Sequence, residues 1–183
     1  YLLSNFCNPI SANELAGELG LSSVATTKKF CDYLNESYLF FFLPRFNNKL
    51  KLMSKAPKKV YVVDNGFVQS TAFNLSENLG RLLENQVFVE LLRRGYIPGQ
   101  TLFYYRTRND KEIDFVTRKG TKVEQLIQVC YDLTSEKTRK RELDALVEAA
   151  EELHCDNLLL VSTTTYKYIT HDKACITSIV NFK

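Results

Sequence analysis

Apolar residues recur along this chain with two different periods, and the change of period divides it. Between residues 11 and 34 the spacing is helical. Ser11 followed by Glu14 reads as a capping box, Leu15, Ala16 and Leu19 give that helix an apolar side, and Gly20 closes it. Ser22 or Ser23 caps a second helix, with Phe30, Cys31 and Leu34 on its apolar side and Thr26, Thr27, Lys28 and Lys29 toward its start. Residues 38–43 form a run of aliphatic and aromatic side chains. Pro44 and two asparagines follow, and then a Lys-Leu-Lys-Leu alternation over 49–52. That order predicts strand, turn, strand.

Two helices joined by a glycine-containing turn predict a helix-turn-helix, and the hairpin behind it predicts a winged helix-turn-helix over residues 1–58. A second unit, residues 59–183, opens with a buried-strand candidate at 60–63. A long helix over about 77–94 stops at Gly95. Strand candidates at 102–107, 112–118 and 122–133 are separated by Asn109-Asp110 and Lys119-Gly120 turns. A second helix spans about 138–153, with Leu143, Leu146, Val147, Ala150 and Leu153 as its apolar stripe. Leu158 to Val161 is a continuous apolar run, expected of a strand covered on both faces. The expected class is α+β, with a mixed central sheet flanked by helices.

Composition narrows the function. The chain has 183 residues, 45% hydrophobic and 25% charged, as expected of a globular protein with a core. The net charge of +3 decides nothing, but its distribution is uneven. Arg45, Lys49, Lys51, Lys55, Lys58 and Lys59 fall in one stretch that contains no acid. Such a block suits either phosphate contact or a solvated loop. The five cysteines include no Cys-x-x-Cys, and with two histidines they offer no zinc-ligand spacing. Cys31, Cys130 and Cys175 have apolar neighbours and read as small hydrophobes in a reducing cytoplasm. The longest apolar run is too short to span a membrane, and no signal peptide is visible. The chain opens at Tyr1 without methionine, which implies a piece of a longer protein.

Two acids stand out. Glu84 shares its helix face with Val87, Phe88 and Leu91, so burial is expected. A carboxylate in an apolar arc requires a partner or a ligand. The partner would be a buried arginine such as Arg106; the other reading is a functional site. Asp114 lies between Ile113 and Phe115 on an alternating segment. If its strand pairs with the next as a hairpin, Asp114 comes beside Gln128; taken alone, it reads as the wet face of an edge strand.

Gly80-Arg81-Leu82-Leu83-Glu84-Asn85, Leu91-Leu92-Arg93-Arg94-Gly95, Tyr104-Tyr105-Arg106-Thr107, Glu112-Ile113-Asp114-Phe115-Val116 and Ile127-Gln128-Val129 together resemble one known domain. It is the C-terminal domain of unknown function of bacterial and archaeal AAA+ ATPases, whose core is similar to PD-(D/E)xK nucleases. The segments 14–22 and 59–67 also resemble that family. The resemblance implies an ATPase module N-terminal to this piece, where ATP would bind. No phosphate-binding G-x-x-x-x-G-K-[ST] loop occurs within the chain. It also implies that Glu84 matches the superfamily's helix acid, Asp114 its strand acid and Gln128 its third ligand for Mg²⁺ or Mn²⁺. Cys130 falls where the catalytic lysine belongs. A neutral thiol cannot replace that cation, and losing one preorganised charge costs about 10²–10³ in rate.

Helix-turn-helix units present the start of the second helix to DNA, here Ser23, Thr26, Thr27, Lys28 and Lys29, and a wing would add Arg45, Lys49 and Lys51. Hydroxyls and lysines suit phosphate positioning more than base reading. Winged helices also serve as protein adaptors. Three functions therefore stand as expectations. The first is a DNA- or partner-binding C-terminal module with a catalytically degenerate nuclease-like domain. The second is an active Mg²⁺- or Mn²⁺-dependent endonuclease. The third is a structural module that docks on the ATPase or self-associates.

Overall fold

The structure, a computed structural model, describes residues 1–71, 78–163, 169–171 and 174–176. The chain divides into two compact units, Tyr1–Gly99 and Gln100–Lys183. Together they form a mixed α+β protein.

The first unit begins with strand β1 (Pro9–Ile10) and helices α1 (Ala12–Glu18) and α2 (Val24–Glu36). The capping box at Ser11 is present: its hydroxyl accepts from the Glu14 amide at 3.1 Å, and Glu14 Oε2 accepts from the Ser11 amide at 3.4 Å. Gly20, at φ +63, takes the left-handed turn that ends this segment. Ser23, not Ser22, caps α2, its hydroxyl accepting from the Thr26 amide. Strand β2 (Phe40–Pro44) follows, then helix α3 (Leu50–Lys55), strand β3 (Lys58–Val62), helix α4 (Asn65–Thr71) and helix α5 (Leu79–Arg93).

The three strands form one sheet in the order β1-β3-β2, all antiparallel, with Phe40 opposite Val62 and Pro44 opposite Lys58. This corrects the expected hairpin. The Lys49–Leu52 segment is not its second strand. That role falls to β3, and 49–52 enters α3 instead. Leucine, lysine and methionine are good helix formers, and the alternating Lys-Leu pattern is too short to decide. The strand expected to open the second domain is thus the middle strand of the first sheet. Ile10, Leu15 and Val60 centre its core, with Leu2, Cys31, Phe40 and Phe42 against them. Tyr61 stacks on Phe88 of α5 at 4.1 Å between ring centroids. Residue 77, the expected start of that helix, lies outside the described residues.

The second unit carries strands β4 (Leu102–Arg106), β5 (Glu112–Lys119) and β6 (Lys122–Val129), helix α6 (Glu136–Leu153) and strand β7 (Leu158–Val161). Strands β8 (Ile169–His171) and β9 (Ala174–Ile176) make a small antiparallel pair; the Cys175 side chain lies outside the described residues. The main sheet runs β4-β5-β6-β7, antiparallel except for β6 and β7, which are parallel and joined through α6. Gly120, at φ +61, makes the tight β5–β6 turn. Residues Ile113 to Thr117 are all buried, so β5 is an interior strand and Asp114 is not on the wet face of an edge. Among the described residues, no helix is long and apolar enough to cross a membrane.

Candidate functional site

In the second unit the β5–β6 pairing brings Asp114 beside Gln128. The Asp114 amide donates to Gln128 Oε1 at 3.3 Å, and Asp114 Oδ2 accepts from the Val129 amide at 2.9 Å. Gln128 Nε2 donates at 2.8 Å to Glu142 Oε2 on α6. The other oxygen of Glu142 accepts from the Arg141 guanidinium at 2.5 Å and 3.0 Å. Asp114, Gln128 and Glu142 are all buried. The result is a closed relay: strand acid, strand amide, helix acid, arginine. Gln128 is spent on both sides, its carbonyl toward the Asp114 backbone and its amide toward Glu142.

Cys130 ends the row. Its thiol donates to the Asp132 carbonyl at 3.3 Å. Burial, followed by the neighbouring Glu142 carboxylate, pushes its pKa up to about 11, so at neutral pH it is an uncharged SH. The cation closest to this row in the hydrogen-bond chain is Arg141, and it is tied to Glu142. Among the described residues, no three acidic, histidine or cysteine side chains converge closely enough to hold a metal ion.

The hydrophobic pattern of the chain does not point to Glu142. The apolar stripe it predicts for α6 is Leu143, Leu146, Val147, Ala150 and Leu153, whereas the buried face is Glu142, Ala145, Leu146 and Ala149. The inward face is rotated by about one residue. A signal exists, because 142, 145, 146 and 149 follow i, i+3, i+4 and i+7, but two alanines weigh little against leucines.

Glu84 belongs to the first unit, where α5 packs on β3. Its Oε1 lies 2.7 Å from Lys59 Nζ and accepts from the Tyr61 hydroxyl at 2.7 Å. Lys59 is 1% exposed and Glu84 12%. The buried partner is therefore a lysine two residues from Tyr61 on the same strand, not Arg106, which pairs with Asp110 and Glu112. Lys59 also leaves the basic block: of its six members it alone is fully buried. The next residue of the helix, Asn85, is fully buried as well. Its side chain bonds both the amide (2.9 Å) and the carbonyl (3.0 Å) of Val62 and donates to Asn65 Oδ1 at 2.9 Å. The Glu-Asn pair thus docks α5 onto one face of β3 through a charge and an amide.

The expected DNA-facing residues separate into three kinds. Thr27 is fully buried, its hydroxyl donating to the Ser23 carbonyl, which removes it from any outward contact. Ser23 is half-buried and its hydroxyl caps α2; Arg45 is half-buried. Thr26, Lys28, Lys29, Lys49 and Lys51 are exposed, with Lys49 at the start of α3, and so are Lys55 and Lys58. Beside them lies an open groove of about 1410 Å³, bordered by Lys28, Lys55 and Lys58, by the acids Asp32 and Glu36, and by the rings of Tyr38 and Phe41.

Two family models divide the chain between residues 78 and 79, at the start of α5 and inside the first structural unit. A family model described as a domain of unknown function, DUF4143, matches residues 79–182, and a second one, DUF8612, matches residues 1–78. The uncharacterized protein MJ1544 of Methanocaldococcus jannaschii is 36% identical over 191 residues, spanning 99% of this chain and 41% of that protein. An uncharacterized protein of Haemophilus influenzae is 32% identical over 122 residues, spanning 67% of this chain and 29% of that protein. The chain thus spans less than half the length of either relative. No solved structure matches.

Proposed function

We propose, from the premise that this chain belongs to the DUF4143 family of domains, that it is a non-catalytic binding module of a larger AAA+ ATPase. In this reading the first unit is a winged helix-turn-helix that holds nucleic acid by its phosphates. The second is a PD-(D/E)xK-like scaffold that no longer cleaves. The AAA+ assignment is supported by the motif resemblance and by the greater length of both relatives.

One observation carries the loss of cleavage: the closed relay from Asp114 through Gln128 to Glu142 and Arg141. Mg²⁺ demands near-octahedral oxygen ligands. Here one Asp114 oxygen already accepts from Val129, the Gln128 carbonyl accepts from Asp114, and Glu142 is neutralised by Arg141. The donor set does not fit the ion. Cys130, protonated at neutral pH, supplies no charge to a phosphate. Glu84, neutralised by Lys59, acts as a packing group.

The nucleic-acid half is supported by the exposed Lys28, Lys29, Lys49, Lys51, Lys55 and Lys58, all in the first unit. None of these reads a base edge as the bidentate side chains do, so the contact is with the backbone and independent of sequence. A labelled duplex titrated at increasing salt tests it. The expected result is an affinity that falls with a log–log slope of about −0.9 per contacted phosphate. Absence of binding at low salt would overturn this half. Plasmid nicking in Mn²⁺ that disappears in Asp114→Ala would overturn the other.

A further inference from the structure

Helix α2 holds very little of the core: Thr27 is its one fully buried residue. Tyr33 lies at i+4 from Lys29, at i+3 from Phe30 and at i−3 from Glu36, so these side chains share one outward face, and all four are exposed. Phe30 is 47% exposed and Tyr33 62%, so two large rings meet water. Among the described residues, the Lys29 and Glu36 side chains take part in no hydrogen bond or ion pair. The other side of the helix, with Lys28 and Asp32, borders the groove, whose rim Glu36 reaches. The ring-bearing face thus carries one cation and one acid, with Tyr33 between them and about 10.5 Å of helix axis separating the charges. Such a face selects neither a polyanion nor a polycation. With opposite charges at its two ends, it is complementary to itself turned end for end, which is what a two-fold interface requires.

We propose that this face of α2 pairs with the same face of a second copy of the chain, the two helices running antiparallel about a two-fold axis beside Tyr33. Seven residues fall about 20° short of two full helical turns, so Lys29 and Glu36 stand on the same flank of the face. A two-fold axis lying between antiparallel helices keeps that flank on one side of the interface. Lys29 of each copy then meets Glu36 of the other, and the dimer gains two ion pairs. Tyr33 meets its own counterpart at the axis, and Phe30 falls between Tyr33 and Ser37 of the second copy. Aromatic side chains are the residue type that interface cores favour. A parallel pairing would set Lys29 against Lys29 and Glu36 against Glu36, so charge selects the antiparallel one. One helix face is less than the about 800 Å² per partner of a standard interface, so the dimer is weak and reversible. The inference does not rest on the nucleic-acid reading. It takes Lys29 from the phosphate-facing set and leaves Lys28, Lys49, Lys51, Lys55 and Lys58 there.

The experiment is sedimentation equilibrium of the 183-residue chain. Loading concentrations run from about 1 μM to about 1 mM, the range in which so small an interface dissociates. A monomer–dimer equilibrium is expected. Lys29→Glu or Glu36→Lys alone turns both attractions into repulsions and should raise the dissociation constant about tenfold or more. An equimolar mixture of these two variants has only Glu–Lys contacts across the axis and should recover the parental affinity, and so should the double variant Lys29→Glu, Glu36→Lys. Tyr33→Ser should weaken the dimer with no change of charge. Circular dichroism checks that each variant is folded, which is expected because these side chains are exposed.

Recovery on mixing two weakened variants is a gain that misfolding cannot imitate. A parent that stays monomeric over the whole range overturns the proposal. Single charge variants that associate as tightly as the parent, or a mixture no tighter than either variant alone, overturn it as well. Self-association that Tyr33→Ser abolishes but the charge variants leave unchanged would be an apolar contact without this geometry, and would also sink the antiparallel pairing.

Discussion

Removing the Glu84 carboxylate separates a structural acid from a catalytic one. Glu84→Ala removes the carboxylate oxygen that lies 2.7 Å from the ammonium of Lys59, itself 1% exposed, and that accepts from the Tyr61 hydroxyl. Breaking a buried ion pair from one side typically costs about 3–5 kcal/mol, because the remaining charge stays out of water. Both partners here are nearly inaccessible, so solvent screening discounts this little. Against a typical domain stability of about 5–15 kcal/mol the loss is severe. With a urea m-value of about 2 kcal/mol/M it moves the midpoint by roughly 2 M. The chain has no tryptophan, so near-ultraviolet circular dichroism of the tyrosines is the probe, with Tyr61 stacked on Phe88 a principal contributor. The double variant Lys59→Met, Glu84→Leu should recover most of the loss, since an apolar pair of similar volume replaces a buried ion pair at little cost. In the cycle of Lys59→Met, Glu84→Leu and the double variant, the coupling is expected to exceed about 1 kcal/mol. A carboxylate kept for metal chemistry would behave in the opposite way. If Glu84→Ala is as stable as the parent, or more stable, the packing role assigned to Glu84 is wrong.

Three further outcomes follow from other contacts in the two units. Asn85→Ala strands the buried amide and carbonyl of Val62, at about 1–3 kcal/mol per unsatisfied group, and urea unfolding should show it despite the small loss of volume. Cys130, with its pKa raised from 9.0 to about 11, should react with iodoacetamide at pH 8 about a hundredfold more slowly than an unperturbed thiol. Glu142→Gln should speed that reaction, as mass spectrometry of the modified peptide can read. Glu148 has its carboxyl held down to about 2 by hydrogen bonds from Thr107 and then Lys111. A depressed carboxyl stabilises the fold above its unfolded value of 4.5, and that contribution disappears as pH falls from 4.5 toward 2. Glu148→Gln should therefore flatten the acid limb of the stability–pH curve by lowering the neutral plateau toward the acid end; an unchanged acid limb in urea melts across that range would refute the assignment.

The helices that carry strong local signals are legible in the chain itself: the Ser11–Glu14 capping box, the Ser23 cap, and the chain reversal at Gly20. These depend on residues within four positions of one another, and local hydrogen bonds and backbone freedom decide them. The hairpin turn at Gly120 belongs with them, but its register alone would set Asp114 opposite Ile127; the one-residue shift between Thr117 and Arg118 is what brings Asp114 beside Gln128. Where partners lie far apart in the chain, periodicity has no vote. Strand β2 finds β3 across residues 45–57, and the Lys-Leu alternation becomes a helix once its place in the sheet is taken. Lys59, which stands in sequence among solvated lysines, is buried against Glu84, 25 residues on. Glu142 completes the relay from a helix whose inward face is fixed by packing on β5 and β6, not by its leucines. Local chemistry sets which segments are helix, turn or strand. Which polar groups are neutralised, and so whether an acid can serve a metal or only hold two elements together, is a long-range electrostatic balance that tertiary packing alone decides.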